Sequence, residues 1–167
     1  KTHFFQNVSG STYFTSMTPI VSINKGFMAM YMGGVLGLQF RHHLGKIAIG
    51  NAANTGMLGG GGVDGVISRA GGEDLFNARR NLPCVFNGER NYVGGAIMTT
   101  AGNINADYVI HSVGPNFNLY SNKEEAYNLL FDAYWNMLSQ PCNFIAIPLL
   151  SAGIFRADEP LETVIGV

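Results

Sequence analysis

The chain has 167 residues, 47% of them hydrophobic and 13% charged, with a formal net charge of -1. That length fits one domain with a sizeable core, and the apolar fraction excludes a disordered chain. Ten basic residues balance eleven acidic ones with no Lys/Arg cluster, which argues against nucleic acid as the main partner.

Between Thr2 and Asn24 there is no Lys, Arg, Asp or Glu. Residues 11–17 and 20–23 read as short strands separated by Pro19. Residues 27–32 read as another strand, ended by Gly33 and Gly34. The charge-free apolar stretch 26–40 is interrupted by glycine and too short to span a bilayer. No signal-peptide pattern precedes it. The apolar positions Val35, Leu36, Leu38, Phe40 and Leu44 suggest a short helix over 35–44. His42 and His43 are adjacent, share no helix face and have no acidic or thiol partner at ligand spacing, so they read as surface histidines and no metal is expected.

Residues 46–50 form a buried strand that runs into Asn51-Ala52-Ala53-Asn54 and then four consecutive glycines, Gly59 to Gly62. Glycine has the largest backbone entropy to lose, so such a run makes sense where the main chain must approach a ligand closely. Amide N–H groups exposed at a helix N-terminus form an anion site, and the usual anion is a phosphate. A helix over 63–70 follows, cut by Gly71 and Gly72, with a second helical piece over 73–82 ended by Pro83. Gly60-x-Gly62-x-x-Gly65 matches the dinucleotide fingerprint formally, but in that motif the glycines follow the strand directly. No Gly-Lys-Ser/Thr follows, which excludes the phosphate loop of NTPases. Asp64 reads either as a carboxylate complementing the helix dipole or as a catalytic group. Asn54 reads as an Asx-turn residue.

Residues 96–100 and 108–113 are strands, with His111 a hydrogen-bonded core residue on the second. Ser121-Asn-Lys-Glu124 matches a capping box, with Ser121 as the N-cap. Ala126, Leu129, Leu130, Ala133, Met137 and Leu138 then share one face, and Tyr127, Tyr134 and Trp135 read as packing. Residues 144–147 are a buried strand leading into a second glycine-bearing loop, 148–155. Ser151 has no G-x-S-x-G around it and is no nucleophile by that pattern. Asp158 is the expected N-cap of a last helix with Pro160 in its first turn, about two turns long by Val167. Cys84 and Cys142 are far apart with no CxxC, so reduced, buried thiols in a cytosolic protein are expected. Alternating strands and helices predict an α/β fold, a three-layer sandwich around a mixed sheet. In it the two glycine-bearing loops, each following a buried strand, meet at the carboxyl edge.

Four motifs carry a resemblance. Asn-Ala-Ala-Asn at 51–54, the Gly59–Gly65 run, Val-Ile-His-Ser-Val-Gly-Pro at 109–115 and Ile-Pro-Leu-Leu-Ser-Ala-Gly-Ile-Phe at 147–155 resemble the macrodomain family in order and approximate spacing, and cover about residue 27 to the end. The last loop is most similar to the X domains of nidovirus replicase polyproteins of the coronavirus and torovirus group. The glycine run is more similar to the cellular hydrolase subgroup. A replicase fragment would explain why the chain begins at Lys1. The resemblance implies a three-layer α/β/α macrodomain over 1–167, with a mixed, mostly parallel sheet, extra N-terminal strands in 1–24, and the family's last helix and edge strand either lying beyond Val167 or replaced by those N-terminal strands.

It also implies ADP-ribose binding. Ala53, Asn54, Gly60, Gly61, Gly62 and Val63 would hold the distal ribose and its phosphate. Pro148 and Leu149 would also contact the ligand, and Ser151, Ala152, Gly153, Ile154 and Phe155 would wrap the diphosphate, with Phe155 packing on the distal ribose. The implied activity is hydrolysis of mono-ADP-ribose from modified proteins. Asn54 would orient the ribose, and Asp64 or a substrate phosphate oxygen would take the proton of an attacking water. The alternative is a reader of ADP-ribose or poly(ADP-ribose) without cleavage, with ADP-ribose 1″-phosphatase a side activity. The implied protein is a monomer with no cofactor, no metal and no membrane segment, whose partners are ADP-ribose and mono-ADP-ribosylated proteins. In the viral reading it acts in the host cytoplasm against a host immune modification. Two departures stand out. Gly34-Val35-Leu36 lacks the acid that reads the adenine amino group, and Ser68 stands where the cellular hydrolases often carry His.

Overall fold

The computed structural model describes residues 34–37 and 45–166 with their side chains, and residues 5–7, 13–14, 18–23, 26–30 and 38–39 by backbone alone. Strands β1 (Phe5–Asn7), β2 (Tyr13–Phe14), β3 (Thr18–Ile23) and β4 (Gly26–Met30) open the chain. A 3-10 turn at Val35–Gly37 leads to β5 (Leu38–Gln39), which pairs antiparallel with β1. Strands β3 and β4 pair antiparallel, with the register slipping between Pro19 and Val21. Proline has no N–H for a ladder, and a bulge is where a strand tolerates it.

The helix expected over 35–44 is therefore absent as far as it is described. Gly37 favours a turn, and ladder pairing of Leu38 and Gln39 overrides a weak helical pattern. His42 and His43 lie outside the described residues.

The central sheet holds β6 (Ile47–Ala52), β7 (Ala96–Thr100), β8 (Tyr108–Ser112) and β9 (Phe144–Ala146), in the order β7-β8-β6-β9. Strands β8, β6 and β9 are parallel and β7 is antiparallel to β8, giving the mixed, mostly parallel sheet expected. Helices α1 (Gly62–Arg80), α2 (Lys123–Leu138) and α3 (Leu161–Ile165) complete the described elements.

Successive strand residues point to opposite faces. Ile49 and Val109 accordingly pack with Ile67 and Leu75 of α1, while Ala48 and Ile110 pack with Leu130, Ala133 and Met137 of α2. The result is three layers. No described helix is long and apolar enough to cross a membrane.

Helix α1 is two segments. Gly72 has φ 65 and ψ -157 inside it, so the axis breaks at the glycine pair. Gly71 O accepts from Asn103 N at 3.0 Å, which docks the turn after β7 at the break.

Four local expectations need correction. The N-cap of α2 is Asn122, whose Oδ1 accepts from Glu124 N at 3.0 Å, one residue after Ser121. An Asn amide reaches the N2 amide as well as a Ser hydroxyl reaches N3, so either side chain can start the helix. The cap position before α3 belongs to Pro160 with no side-chain cap bond, and α3 is five residues long, little more than one turn. Leu138 and Trp135 are exposed on α2, because they fall past the stripe Ala126, Leu130, Ala133 and Met137; Trp135 instead stacks on Phe131. Cys84 is exposed in the loop that Pro83 starts, not buried, and Cys142 is half-buried; both are free thiols.

Candidate functional site

Parallel strands β8, β6 and β9 send their carboxyl ends to one edge of the sheet. Three contacts draw the following loops together. Ala53 N donates to Ser112 O at 2.9 Å. Pro148 sits so close to Gly50 that a Cβ there would lie 2.7 Å from its Cδ. Ser151 Oγ donates to Pro115 O at 2.8 Å, over a Gly114 whose missing Cβ would overlap that hydroxyl.

The first loop is shaped from within by Asn54. Its Oδ1 accepts from Met57 N at 3.1 Å and its Nδ2 donates to Gly59 O at 2.9 Å. Met57 takes φ 67, unusual for a residue with a side chain, and is fully buried. Gly59 takes φ 121. From the other side, Thr55 O accepts from Arg90 N at 2.8 Å and Asn91 N at 3.0 Å, and Gly56 O accepts from the Arg90 guanidinium at 3.2 Å.

The N-cap of α1 is Gly61, which offers no capping side chain. The amides of Gly60, Gly61, Gly62 and Val63 donate to no acceptor among the described residues. Such a helix start leaves its first N–H groups free for an anion. In the second loop the amides of Ser151, Ala152, Gly153, Ile154 and Phe155 are equally without a described acceptor. Ser151 holds φ 54, buried, so its hydroxyl braces the loop through Pro115 while its amide stays free. Leu150 N donates to Tyr134 Oη at 2.8 Å, giving a polar task to a ring expected only to pack. Arg156 closes the loop on itself, donating to Ala152 O at 3.3 Å and Glu159 O at 2.7 Å. Lys123 holds Glu159 at 3.6 Å, and Tyr127 donates to the same carboxylate at 2.6 Å.

Among the expected site residues, Ala53 packs with Met57 and Val113, and its amide is already used by Ser112. Pro148 is buried, Leu149 is exposed, Phe155 is half-buried, and Ile154 is 90% exposed at the loop's tip. Val35 and Leu36 half-bury against the Ile49–Ile67 cluster. No group of three or more His, Cys, Asp or Glu among the described residues is arranged to hold a metal.

Asp64 lies beneath the glycines, 2% exposed. Its Oδ1 and Oδ2 accept from Arg79 Nη1 at 2.5 Å and Nη2 at 2.9 Å, and Ser68 Oγ donates to Oδ1 at 3.0 Å. Burial alone would raise the Asp64 pKa, but the hydrogen bonds and charge of Arg79, helped by Asn51 and Ser68, carry it below the usual carboxylate value. Ser68 is shorter than the His of the cellular hydrolases, and the space beside it is taken by the guanidinium, whose Nη1 donates to Ser68 Oγ at 3.0 Å.

Behind this pair, Asn51 Nδ2 donates to His111 Nδ1 at 3.0 Å, and His111 Nε2 meets Thr99 Oγ1 at 2.9 Å. Thr99 commits its proton to Thr100 O at 3.0 Å, so a neutral His111 carries its proton on Nε2. Burial first, then the Arg79 charge, push the His111 pKa down to about 3, with Asp64 opposing.

Sequence reasoning missed Arg79. Spacing gave no signal for it, because the break at Gly72 interrupts the helical phase between Asp64 and Arg79.

The Macro domain family model matches residues 50–164. A macro domain-containing protein of Vibrio parahaemolyticus is 45% identical over 112 residues, 65% of this chain and 64% of that protein. An O-acetyl-ADP-ribose deacetylase of Pantoea vagans is 41% identical over 112 residues, 65% and 62% of the two chains. The chain thus spans just under two thirds of these relatives' length. A solved macrodomain of Oceanobacillus iheyensis with ADP is 28% identical with a TM-score of 0.72, covering 90% of this chain and 77% of that one. Other solved forms of that domain replace an Asn and an Asp separated by the same interval as Asn54 and Asp64.

Proposed function

The chain belongs to the macro domain family, and on that premise we propose that it binds ADP-ribose between its two glycine-bearing loops and hydrolyses mono-ADP-ribose from modified proteins. One observation carries the reading: two rows of backbone N–H groups that meet no acceptor among the described residues, at Gly60 to Val63 and at Ser151 to Phe155, lie at one sheet edge. A diphosphate needs such donors more than it needs cations. The ADP held by the Oceanobacillus iheyensis domain supports the ligand class, and the deacetylase name of the Pantoea vagans relative supports hydrolytic chemistry on an ADP-ribose derivative. The reported relatives are bacterial, so the proposal stands on the site and not on a viral origin.

In the proposed reaction a water oxygen bonds to the anomeric carbon of the distal ribose as the bond from that carbon to the protein breaks. Charge develops there in an oxocarbenium-like transition state. Asn54 shapes the ribose loop through Met57 and Gly59 and keeps one N–H and one lone pair for a hydroxyl. Asp64 is a poor base, because both oxygens are held and its pKa is lowered. That assigns the water's proton to a substrate phosphate oxygen, with Asp64 holding the helix start in place. The same engagement of Asp64 favours a second reading, a reader that binds without cleaving.

Calorimetry with ADP-ribose, paired with a gel assay on a mono-ADP-ribosylated protein, tests both. Heat with release of the label supports the hydrolase. Heat without release leaves the reader, and no heat at millimolar protein ends the ligand assignment.

A further inference from the structure

Arg79 sits fifteen residues after Asp64 on α1, a separation of roughly 22 Å along a straight helix. The pair is nevertheless 2.5 Å apart, because the axis breaks at Gly72 and the second segment folds back. The returning guanidinium is 1% exposed and its donors go to separate segments. Nε donates to Met57 O in the first loop, and Nη1 and Nη2 go to Asp64 and Ser68 at the start of α1. Met57 is the point where that loop turns with positive φ, and its N–H is bonded back to Asn54. One side chain therefore spans the glycine run, joining Met57, two residues before it, to Asp64, two residues after it.

We propose that Arg79 is a positioning residue that sets the shape of the loop gripping the distal ribose; this rests on the ADP-ribose reading above. Arg79 touches no ligand. It fixes where Met57 and Asp64 lie relative to each other, and so where Asn54 and the amides of Gly60 to Val63 point. Only a planar fork with an Nε donor can serve Met57 O and the Asp64 carboxylate together. Lysine keeps the charge and can reach one of them.

Arg79→Lys is the primary variant because it retains a cation beside Asp64; Arg79→Met is the second. Affinities for ADP-ribose and for ADP, which lacks the distal ribose, are measured by calorimetry on each folded variant. The ADP-ribose affinity is expected to fall at least tenfold in Arg79→Lys and the ADP affinity less than threefold. Equal losses for both ligands, or no loss for either, overturn the proposal, since a merely structural role does not single out the distal ribose. Hydrogen exchange without ligand separates this from failure of the ligand assignment. The Met57 amide is expected to exchange at least tenfold faster in Arg79→Lys while the Leu130 amide of α2 keeps its rate. If the wild-type protein binds neither nucleotide, the ligand reading fails. An unchanged Met57 rate then overturns the strut as well, and a faster one supports it.

Discussion

Breaking the Asp64–Arg79 pair from one side is expected to be far more costly than removing it from both. Arg79→Met leaves a carboxylate that is 2% exposed with only neutral partners, and Asp64→Asn leaves a guanidinium that is 1% exposed. Orphaning one member of a buried pair costs about 3–5 kcal/mol. For a domain of this size each kcal/mol moves Tm by about 2–4 °C, so each single variant should melt roughly 6–20 °C lower. The double variant Asp64→Asn with Arg79→Met buries no net charge and should be more stable than either single variant. Urea unfolding of the four proteins closes the cycle, and a coupling of at least about 2 kcal/mol is expected. Single losses below about 1 kcal/mol that simply add would show the pair to be solvated like a surface bridge, and would remove the physical basis for calling Asp64 a poor base.

Acid should destabilise the protein early. The His111 pKa in the fold is about 3 against an ordinary 6.5, so its contribution is complete above pH 6.5 and declines as pH falls toward 3. The slope is about 1.4 kcal/mol per pH unit; Asp64, also depressed, adds loss of the same sign below its usual range, and a His111→Gln variant should show a flatter pH–Tm curve between pH 6 and 4. Asn54→Ala removes the bonds to Met57 N and Gly59 O and should cost about 1–2 kcal/mol in urea unfolding, with a larger Kd for ADP-ribose; wild-type affinity would count against Asn54 as a site residue. Gly59→Ala places a Cβ at φ 121, a strain of about 1–3 kcal/mol, and should weaken ADP-ribose binding along with stability. Gly114→Ala forces Ser151 off Pro115 and should cost about 1–3 kcal/mol by overpacking; a melting curve matching the wild type would show that the second loop can shift freely.

Local chemistry was legible in the chain itself. The core strands, the break at Gly71 and Gly72, the free amides implied by four consecutive glycines, and the core role of His111 all follow from apolar periodicity, glycine's permissiveness and the scarcity of cations. These are properties of neighbours in sequence. What the tertiary structure decided is of another kind. It put Leu38 and Gln39 in a ladder with β1, exposed Cys84 and Trp135, and turned Tyr134 from packing to a brace on Leu150. Above all it brought Arg79 back onto Asp64. A carboxylate seven residues short of a helix break and a guanidinium seven residues past the next position carry no mark of each other in sequence. Their meeting depends on the angle at which Gly72 returns the chain, and that angle is set by the sheet and the Asn103 turn against which both segments pack.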